Sequence, residues 1–180
     1  MEIKKLKLEG LLLIKPQTFR DSRGYFIETF QESLYKDLGI QPFPQDNHSY
    51  SKKGCVRGMH FQTVPGQAKL MRAAVGKIYD VAVDIRPASP TFGQWEAVIL
   101  DDEQHEQLYI PVGFAHGFCV LSENAHVMYK VSAPYHAAYE KGFRWNDPDV
   151  NIIWPIESPL VSERDQNCPF FKDLIGKEIQ

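Results

Sequence analysis

Residues 56–62 read VRGMHFQ, and their side chains alternate in the way that a β-strand requires. Successive side chains of a strand point to opposite faces, so strict alternation places Gly58, His60 and Gln62 on one face. Arg57 then belongs to the other face. A glycine within a strand leaves space for another group to approach closely. We therefore predict a functional face around His60 and Gln62.

A second stretch, residues 109–118, reads YIPVGFAHGF and combines the end of a strand, a Pro-x-Gly turn and His116. Elsewhere, short apolar runs are separated by Gly, Pro, Asp and Asn, the pattern of short strands joined by turns. A polar loop is predicted at 18–24, and helices at 31–38 and 170–175. Strands are predicted at residues 8–14, 25–30, 69–74, 77–85, 94–100, 106–110, 117–121 and 126–132.

Many short strands with little helix favour an antiparallel barrel or jelly roll. A histidine strand and a Pro-x-Gly-x-x-His turn within such a fold resemble the cupin barrels. We predict an all-β fold, a cupin-type double-stranded jelly-roll barrel with a few short helices, in which these two stretches meet. The length of 180 residues suits one domain, residues 1–180.

Composition excludes several classes of protein. The chain is 43% hydrophobic and 24% charged, with a formal net charge of -3, so no nucleic-acid or membrane partner is expected. The charged N-terminus lacks the apolar core of a signal peptide, and no apolar run reaches transmembrane length. Three widely spaced cysteines suit reduced thiols. We therefore predict a cytoplasmic protein.

The predicted barrel is a poor metal site. Metal-binding cupins offer His-x-His, then a carboxylate, then the turn histidine, whereas Gln62 replaces the second histidine here. The segment in which the carboxylate is expected carries Lys69 and Arg72 instead. Two histidines beside cations give too few donors for a divalent ion. We predict no metal, which disfavours a metal-dependent cupin dioxygenase or isomerase.

Without a metal, His60 is a candidate general base, because its ordinary pKa lies near neutrality. A lone buried histidine is more often a hydrogen-bonded core residue. The residues in its company, among them Lys69, His116 and Tyr129, favour the catalytic interpretation.

Several motifs extend this interpretation across nearly the whole chain. They include FRDSRGYFIETF at 19–30, PQDNHSYS at 44–51, QLYIPVGFAHGFCVL at 107–121 and WPIESPLVSERD at 154–165. Together with residues 56–62, these motifs resemble the dTDP-4-dehydrorhamnose 3,5-epimerases, the sugar-nucleotide epimerases of the dTDP-L-rhamnose pathway. The resemblance implies a jelly-roll homodimer without metal or organic cofactor. Residues 8–14 could form an edge strand that pairs across the subunit boundary.

The resemblance also implies roles for individual residues. His60 would be the base, Asp165 its orienting partner, Tyr129 the acid on the opposite face, and Lys69 the group facing the enolate oxygen. Arg72 is the neighbouring cation that competes with Lys69 for this role. Tyr135 would lie near the thymine base. Predicted substrate contacts are Arg23, Glu28, Gln45, Asp46, Asn47, Arg57, Gln62, His116, Tyr135, Glu140 and Arg164, whereas Asp80 and Asp84 are interpreted as structural.

The implied reaction inverts C3 and C5 of dTDP-4-dehydro-6-deoxy-D-glucose to give dTDP-4-dehydro-L-rhamnose. Both C–H bonds lie beside the C4 ketone, so each inversion needs a base, a stabiliser for the enolate and an acid on the other face. Two alternatives remain on related dTDP-4-keto-6-deoxy sugars: an epimerase acting at C3 or C5 alone, and a 3,4-ketoisomerase. A cupin-type binding module without catalysis is a more remote alternative.

Overall fold

The computed structural model describes residues 1–179; Gln180, the last residue of the predicted domain, lies outside the described residues. Two short helices, α1 (Glu32–Asp37) and α2 (Glu163–Gln166), and a 3₁₀ turn (Phe171–Asp173) accompany the strands. The strands are β1 (Glu2–Lys5), β2 (Leu12–Lys15), β3 (Thr18–Asp21), β4 (Gly24–Ile27), β5 (Gln45–Lys52), β6 (Cys55–Gln62), β7 (Lys69–Val75), β8 (Lys77–Asp84), β9 (Trp95–Asp101), β10 (Gln107–Ile110), β11 (Phe114–Val120), β12 (Asn124–Val131), β13 (Glu140–Gly142) and β14 (Leu160–Val161).

Two large sheets face each other. Sheet I has the order β1-β2-β10-β7-β12-β5, and sheet II has the order β13-β6-β11-β8-β9, with β14 added in parallel to β6. From β5 to β8 and from β10 to β13, the chain crosses between the sheets at each step, so neighbours in sequence lie in opposite walls. This arrangement confirms the predicted all-β jelly-roll fold.

The hydrophobic core has an inner and an outer part. Between the sheets, Ile78 and Phe118 of sheet II pack with Met71 and Val127 of sheet I. On the outer face of sheet II, Met59, Phe61, Val81 and Val83 pack against residues of the C-terminal segment, including Phe143, Ile152 and Phe171. The C-terminal segment therefore covers the outer face of sheet II. The part of the space between the sheets that the inner core leaves open is lined by polar side chains of both sheets.

Several predictions about the N-terminal elements differ from the structure. Residues 18–24, predicted as a loop, contain β3 and the turn of the β3–β4 hairpin. The predicted strand at 8–14 begins only at Leu12, because Gly10 adopts a φ of 101° in a turn. β2 is paired on both sides, by β1 and β10, so its proposed role as an edge strand is wrong.

The strand that follows α1, β5, was not predicted because its apolar content is low. Its residues nevertheless alternate, with exposed side chains at Asp46, His48 and Tyr50 and less exposed ones at Asn47 and Ser49. A strand that lines a polar cavity on one face and meets water on the other lacks the apolar period on which the prediction relied.

A bulge interrupts the alternation of β6. His60 lies opposite His116 of β11, and Arg57 lies opposite Phe118, so three steps along β6 match two along β11. Gly58 at the bulge has a φ of 125°, and a Cβ there would lie 2.6 Å from Gly117 Cα. The extra residue brings Arg57 onto the same face as His60, so the predicted opposite orientation of Arg57 is wrong.

Candidate active site

A cavity of about 260 Å³ lies between the sheets and is lined largely by polar side chains. Outside the bulge of β6, each wall contributes through alternate residues of its strands, since only every second side chain points inward. The lining residues are Asn47, Ser49, Lys69, Met71 and Tyr129 from sheet I; Arg57, His60, His116, Phe118 and Glu140 from sheet II; and Gln67, Tyr135 and Arg164 from connecting segments and α2.

His60 and Asp165 form a hydrogen-bonded dyad. His60 Nε2 lies 2.7 Å from Asp165 Oδ1, and the backbone N–H of Gly58 donates to Asp165 Oδ2 at 3.2 Å. Burial would raise the pKa of Asp165, but the hydrogen bond and charge of His60, together with the Gly58 N–H and Arg164, bring that pKa below its ordinary value. An ionised carboxylate on Nε2 leaves Nδ1 as the nitrogen that can accept a proton.

Local structure fixes the carboxylate of this dyad. Asp165 is 3% exposed and lies in the first turn of α2, where its backbone N–H donates to the side chain of the N-cap residue Ser162 at 3.1 Å. An N-cap serine is a favoured way to begin a helix. The sequence Ser-Glu-Arg-Asp therefore positions Asp165 behind His60 by an ordinary helix start.

Lys69 is the buried cation of the cavity. It begins β7 with 9% exposure, and burial lowers its pKa to about 8, a shift opposed by the charges of Glu140 and Asp80. The ammonium is therefore mostly protonated at pH 7. Arg72 does not line the cavity and instead donates to Met128 Sδ at 3.2 Å, so Lys69 is the one of these two cations that reaches the cavity.

Tyr129 approaches the cavity from the wall opposite to His60, because β12 belongs to sheet I and β6 to sheet II. Burial raises the pKa of its phenol, with a contribution in the same direction from Glu140 and an opposing one from Arg57. The hydroxyl is therefore protonated near neutrality and can donate a proton. Base and acid candidates face each other across one cavity.

Two guanidinium groups, a carboxylate and a phenol ring also line the cavity. Arg164 Nη2 donates to Glu140 Oε2 at 2.6 Å, and Tyr135 Oη donates to the same oxygen at 3.1 Å. Arg57 Nε donates to Ser51 Oγ at 2.9 Å, which fixes the direction of its side chain. Paired arginines are well suited to bind phosphate oxygens.

Two predicted contacts support the cavity from outside it. Gln45 donates to Asn47 Oδ1 at 2.9 Å and accepts from the Tyr135 N–H at 3.0 Å. Gln62 accepts from the His136 N–H at 3.2 Å. Neither side chain lines the cavity. Both hydrogen-bond to the 133–136 segment, which carries Tyr135.

Three other predicted contacts lie away from the cavity. Asp46 points away from the cavity and pairs with Lys130 at 2.8 Å. Arg23, at the turn of the β3–β4 hairpin, pairs with Asp21 at 2.6 Å. Glu28 follows β4, and like the other two it is absent from the residues that line the cavity within 1–179.

Four lining residues were not predicted: Ser49, Gln67, Met71 and Phe118. Three of them lie two positions after a predicted residue of the same strand, namely after Asn47, Lys69 and His116. The period of two along a strand could have identified them. Gln67 precedes β7 and has no such signal; it donates to Ala133 O at 2.8 Å.

Within residues 1–179 no group of three or more His, Cys, Asp or Glu side chains is arranged to bind a metal ion. The helices in that same range are all too short or too polar to span a bilayer.

Comparison with known proteins identifies the family. The family model described as dTDP-4-dehydrorhamnose 3,5-epimerase matches residues 5–173. The enzyme of that name from Shigella flexneri is 46% identical over 176 residues, covering 96% of this chain and 97% of that protein. A Streptomyces niveus protein named dTDP-4-dehydrorhamnose 3-epimerase is 39% identical, covering 93% of this chain and 83% of that protein.

Among solved structures, dTDP-6-deoxy-D-glucose-3,5-epimerase from Legionella pneumophila Philadelphia 1, in complex with dTDP-4-keto-L-rhamnose, superposes with a TM-score of 0.94. The two chains are 43% identical, and the match covers 99% of this chain and 96% of that one. The chain therefore belongs to the dTDP-4-dehydrorhamnose 3,5-epimerase family, as its motifs predicted.

Proposed function

We propose that the protein epimerises dTDP-4-dehydro-6-deoxy-D-glucose at C3 and C5, giving dTDP-4-dehydro-L-rhamnose. The observation that carries this proposal is the pairing of the His60–Asp165 dyad on one wall with Tyr129 on the other, with the Lys69 ammonium in the same cavity. Those groups are the ones that proton removal beside a ketone requires.

Each inversion proceeds through an enolate. His60 Nδ1 takes the proton from the carbon beside the C4 ketone, and the electrons of the C–H bond form a C=C bond while those of the carbonyl move to oxygen. The Lys69 ammonium stabilises the resulting oxyanion, and this stabilisation is strongest in a site that excludes water. Tyr129 then protonates the carbon from the opposite face, which inverts its configuration.

The rest of the cavity suits a nucleoside diphosphate. Arg57 and Arg164 would bind the diphosphate, and the ring of Tyr135 would pack against the base. Glu140 pairs with Arg164 in the free protein at 2.6 Å. This cluster of cations explains how a chain with a formal net charge of -3 binds an anionic substrate. The reaction needs no metal or organic cofactor.

One narrower function deserves a place beside this one, because the Streptomyces niveus relative is named a 3-epimerase. The same base, acid and cation would serve inversion at a single carbon. The two functions differ only in how many of the two C–H bonds reach His60.

Solvent deuterium distinguishes these functions. We expect the protein, incubated in deuterated water with dTDP-4-keto-6-deoxyglucose and a chelator, to place deuterium at both C3 and C5, as followed by NMR. Both carbons lie beside the ketone, so both enolates are accessible. Label at one carbon would establish the single-site function, and no label would contradict catalysis on this sugar. Loss of labelling that a divalent ion restores would contradict a metal-free reaction.

We further propose a cytoplasmic homodimer. The three cysteines are free thiols, typical of a reducing compartment. The β3–β4 hairpin exposes Phe19, Tyr25 and Phe26, the last by 67%, and such clustered apolar surface is typical of protein interfaces. The same hairpin carries Arg23, a predicted substrate contact that does not line its own cavity. In the dimer, the hairpin would bring Arg23 to the partner's cavity.

Subunit complementation tests this arrangement. We expect Arg23→Ala and His60→Ala to be inactive alone, and their mixture to regain about a quarter of wild-type activity after subunit exchange, since half the dimers then hold one intact site. Mixing His60→Ala with Asp165→Asn, which belong to one dyad, is the control and should restore nothing beyond the residual activity of the Asp165 variant. A monomeric mass by light scattering at micromolar concentration, or no recovery in the mixture, would contradict the proposal.

A further inference from the structure

A second histidine–aspartate pair lies beside the first. His116 is directly opposite His60 on the neighbouring strand, and its Nε2 lies 2.9 Å from Asp80 Oδ1. Both members are buried, with exposures of 6% for His116 and 0% for Asp80. His116 lines the cavity, whereas Asp80 lies behind it on β8.

Asp80 is costly to bury. It lies between Ile78 and Ala82 of the inner core and, among residues 1–179, its Oδ2 has no hydrogen-bond partner. A buried carboxylate is normally satisfied at both oxygens or paired with a cation. The sequence offers a direct contrast in Asp84, whose oxygens accept from Arg86, Ser89 and Thr91 within the 84–91 turn. Asp84 is therefore structural, as predicted, and Asp80 needs another explanation.

The pairing with Asp80 determines the state of His116. A carboxylate accepts the Nε2–H, so Nδ1 of the neutral ring becomes an acceptor. Burial lowers the pKa of His116; Asp80 opposes this shift, and the charges of Lys69 and His60 add to it. His116 is therefore kept neutral, unlike a histidine whose function is to carry charge.

Asp80 also acts on Lys69. Its negative charge is one of two, with Glu140, that raise the pKa of the buried ammonium against the effect of burial. Glu140 already contacts Arg164 and Tyr135, whereas Asp80 Oδ2 makes no such contact within the described chain. The other titratable or charged groups lining the same cavity are Arg57, His60, His116, Tyr129, Tyr135 and Arg164.

We propose that Asp80 is a positioning residue for the reaction. It fixes His116 as the Nε2–H tautomer, so that Nδ1 can accept a hydrogen bond from a hydroxyl of the bound sugar. It also serves as the buried counter-charge of the Lys69 ammonium. The expected effects on catalysis rest on the proposed epimerase function. The tautomer of His116 does not, because it is a property of the free protein. Asp80 would thus act through His116 and Lys69, without touching the substrate itself.

The first test is spectroscopic and needs no activity. In wild-type protein labelled with ¹⁵N-histidine, we expect the His116 resonances of a neutral ring protonated at Nε2 at pH 7. Asp80→Leu removes the acceptor at similar volume, so the signals should shift toward a mixture of tautomers. The matched control is Asp84→Asn, on the same strand, which should lower the melting temperature and leave the His116 signals unchanged. Protonation at Nδ1 in the wild-type protein would overturn the proposal.

The second test is the pH profile of kcat. Lys69 must be protonated to stabilise the enolate, so activity is present below its pKa and lost as pH rises through it. Asp80→Asn removes the charge and lowers the pKa of Lys69, so kcat should fall about fivefold at pH 8 and little at pH 6.5. In Asp80→Leu, KM should also rise about tenfold through loss of the oriented acceptor.

The outcomes separate the two proposals. If wild-type protein fails to label the sugar while His116 has the Nε2–H tautomer, the epimerase function fails and the pairing stands. If labelling occurs but Asp80→Asn keeps the wild-type profile at pH 8, the role of Asp80 is wrong. The Asp84→Asn control should retain the wild-type pH profile, which excludes a general effect of destabilising β8.

Discussion

Replacing His60 by alanine is expected to abolish exchange of substrate C–H protons with solvent. Two histidines line the cavity described within residues 1–179, each with a carboxylate behind it, and His60 is the more exposed one, with Asp165 2.7 Å from its Nε2. Losing a positioned base typically costs ~10²–10⁴-fold in rate. The measurement is deuterium uptake from heavy water into the sugar, followed by NMR.

Two variants make this result interpretable. Asp165→Asn leaves the imidazole in place but removes the charge that orients it, so its rate should lie between those of wild-type protein and His60→Ala. His48→Ala is the matched control, because His48 is exposed on the outer face of β5 and does not line the cavity. It should exchange at the wild-type rate. Exchange that persists in His60→Ala would show that another group is the base.

Replacing Tyr129 by phenylalanine should separate exchange from inversion. The ring stays in place on the wall opposite His60, but the proton that completes inversion is missing. His60 can still remove a proton and return a deuteron to the same face, so the sugar becomes labelled without being epimerised. We expect inversion to fall by ~10²–10⁴-fold while labelling is retained, as measured by NMR of label position and configuration.

Tyr79→Phe is the control for removal of a phenol, since Tyr79 packs against the outer core with Trp154 and is not part of the cavity. It should epimerise normally. A Tyr129→Phe variant that inverts the sugar at the wild-type rate would exclude Tyr129 as the acid. One that neither exchanges nor inverts would assign it to proton removal instead.

Strands whose inner face is apolar could be predicted from the sequence. β8 and β12 were identified close to their observed limits, because a core-facing strand has a clear period of two. β5 and β3 were not, because polar side chains outnumber apolar ones in both strands. The elements that line a polar site or lie on the surface are therefore the ones that hydrophobic periodicity misses.

The candidate site was predicted largely through its motifs. Of the predicted residues, the structure brings nine into one cavity, with Asp165 directly behind His60: Asn47, Arg57, His60, Lys69, His116, Tyr129, Tyr135, Glu140 and Arg164. Gln45 and Gln62 hydrogen-bond to the segment that carries Tyr135, and Arg23, Glu28 and Asp46 lie away from the cavity. A motif identifies candidate residues along the chain. It does not give the position of a side chain relative to a cavity formed by strands that are distant in sequence.

By itself, the sequence determined the all-β class and the family, and it singled out His60 as the candidate base, because strand periodicity and short motifs are local properties of the chain. Tertiary structure alone decided which side chains share a face and which charges meet. The bulge at Gly58 exists only relative to the paired strand β11, and this bulge places Arg57 on the same face as His60. The contacts His60–Asp165 and His116–Asp80 join residues 105 and 36 positions apart. The first contact forms when α2 returns to β6, and the second when β8 and β11 pair within sheet II. Burial of these groups supplies the low dielectric that makes each pairing matter.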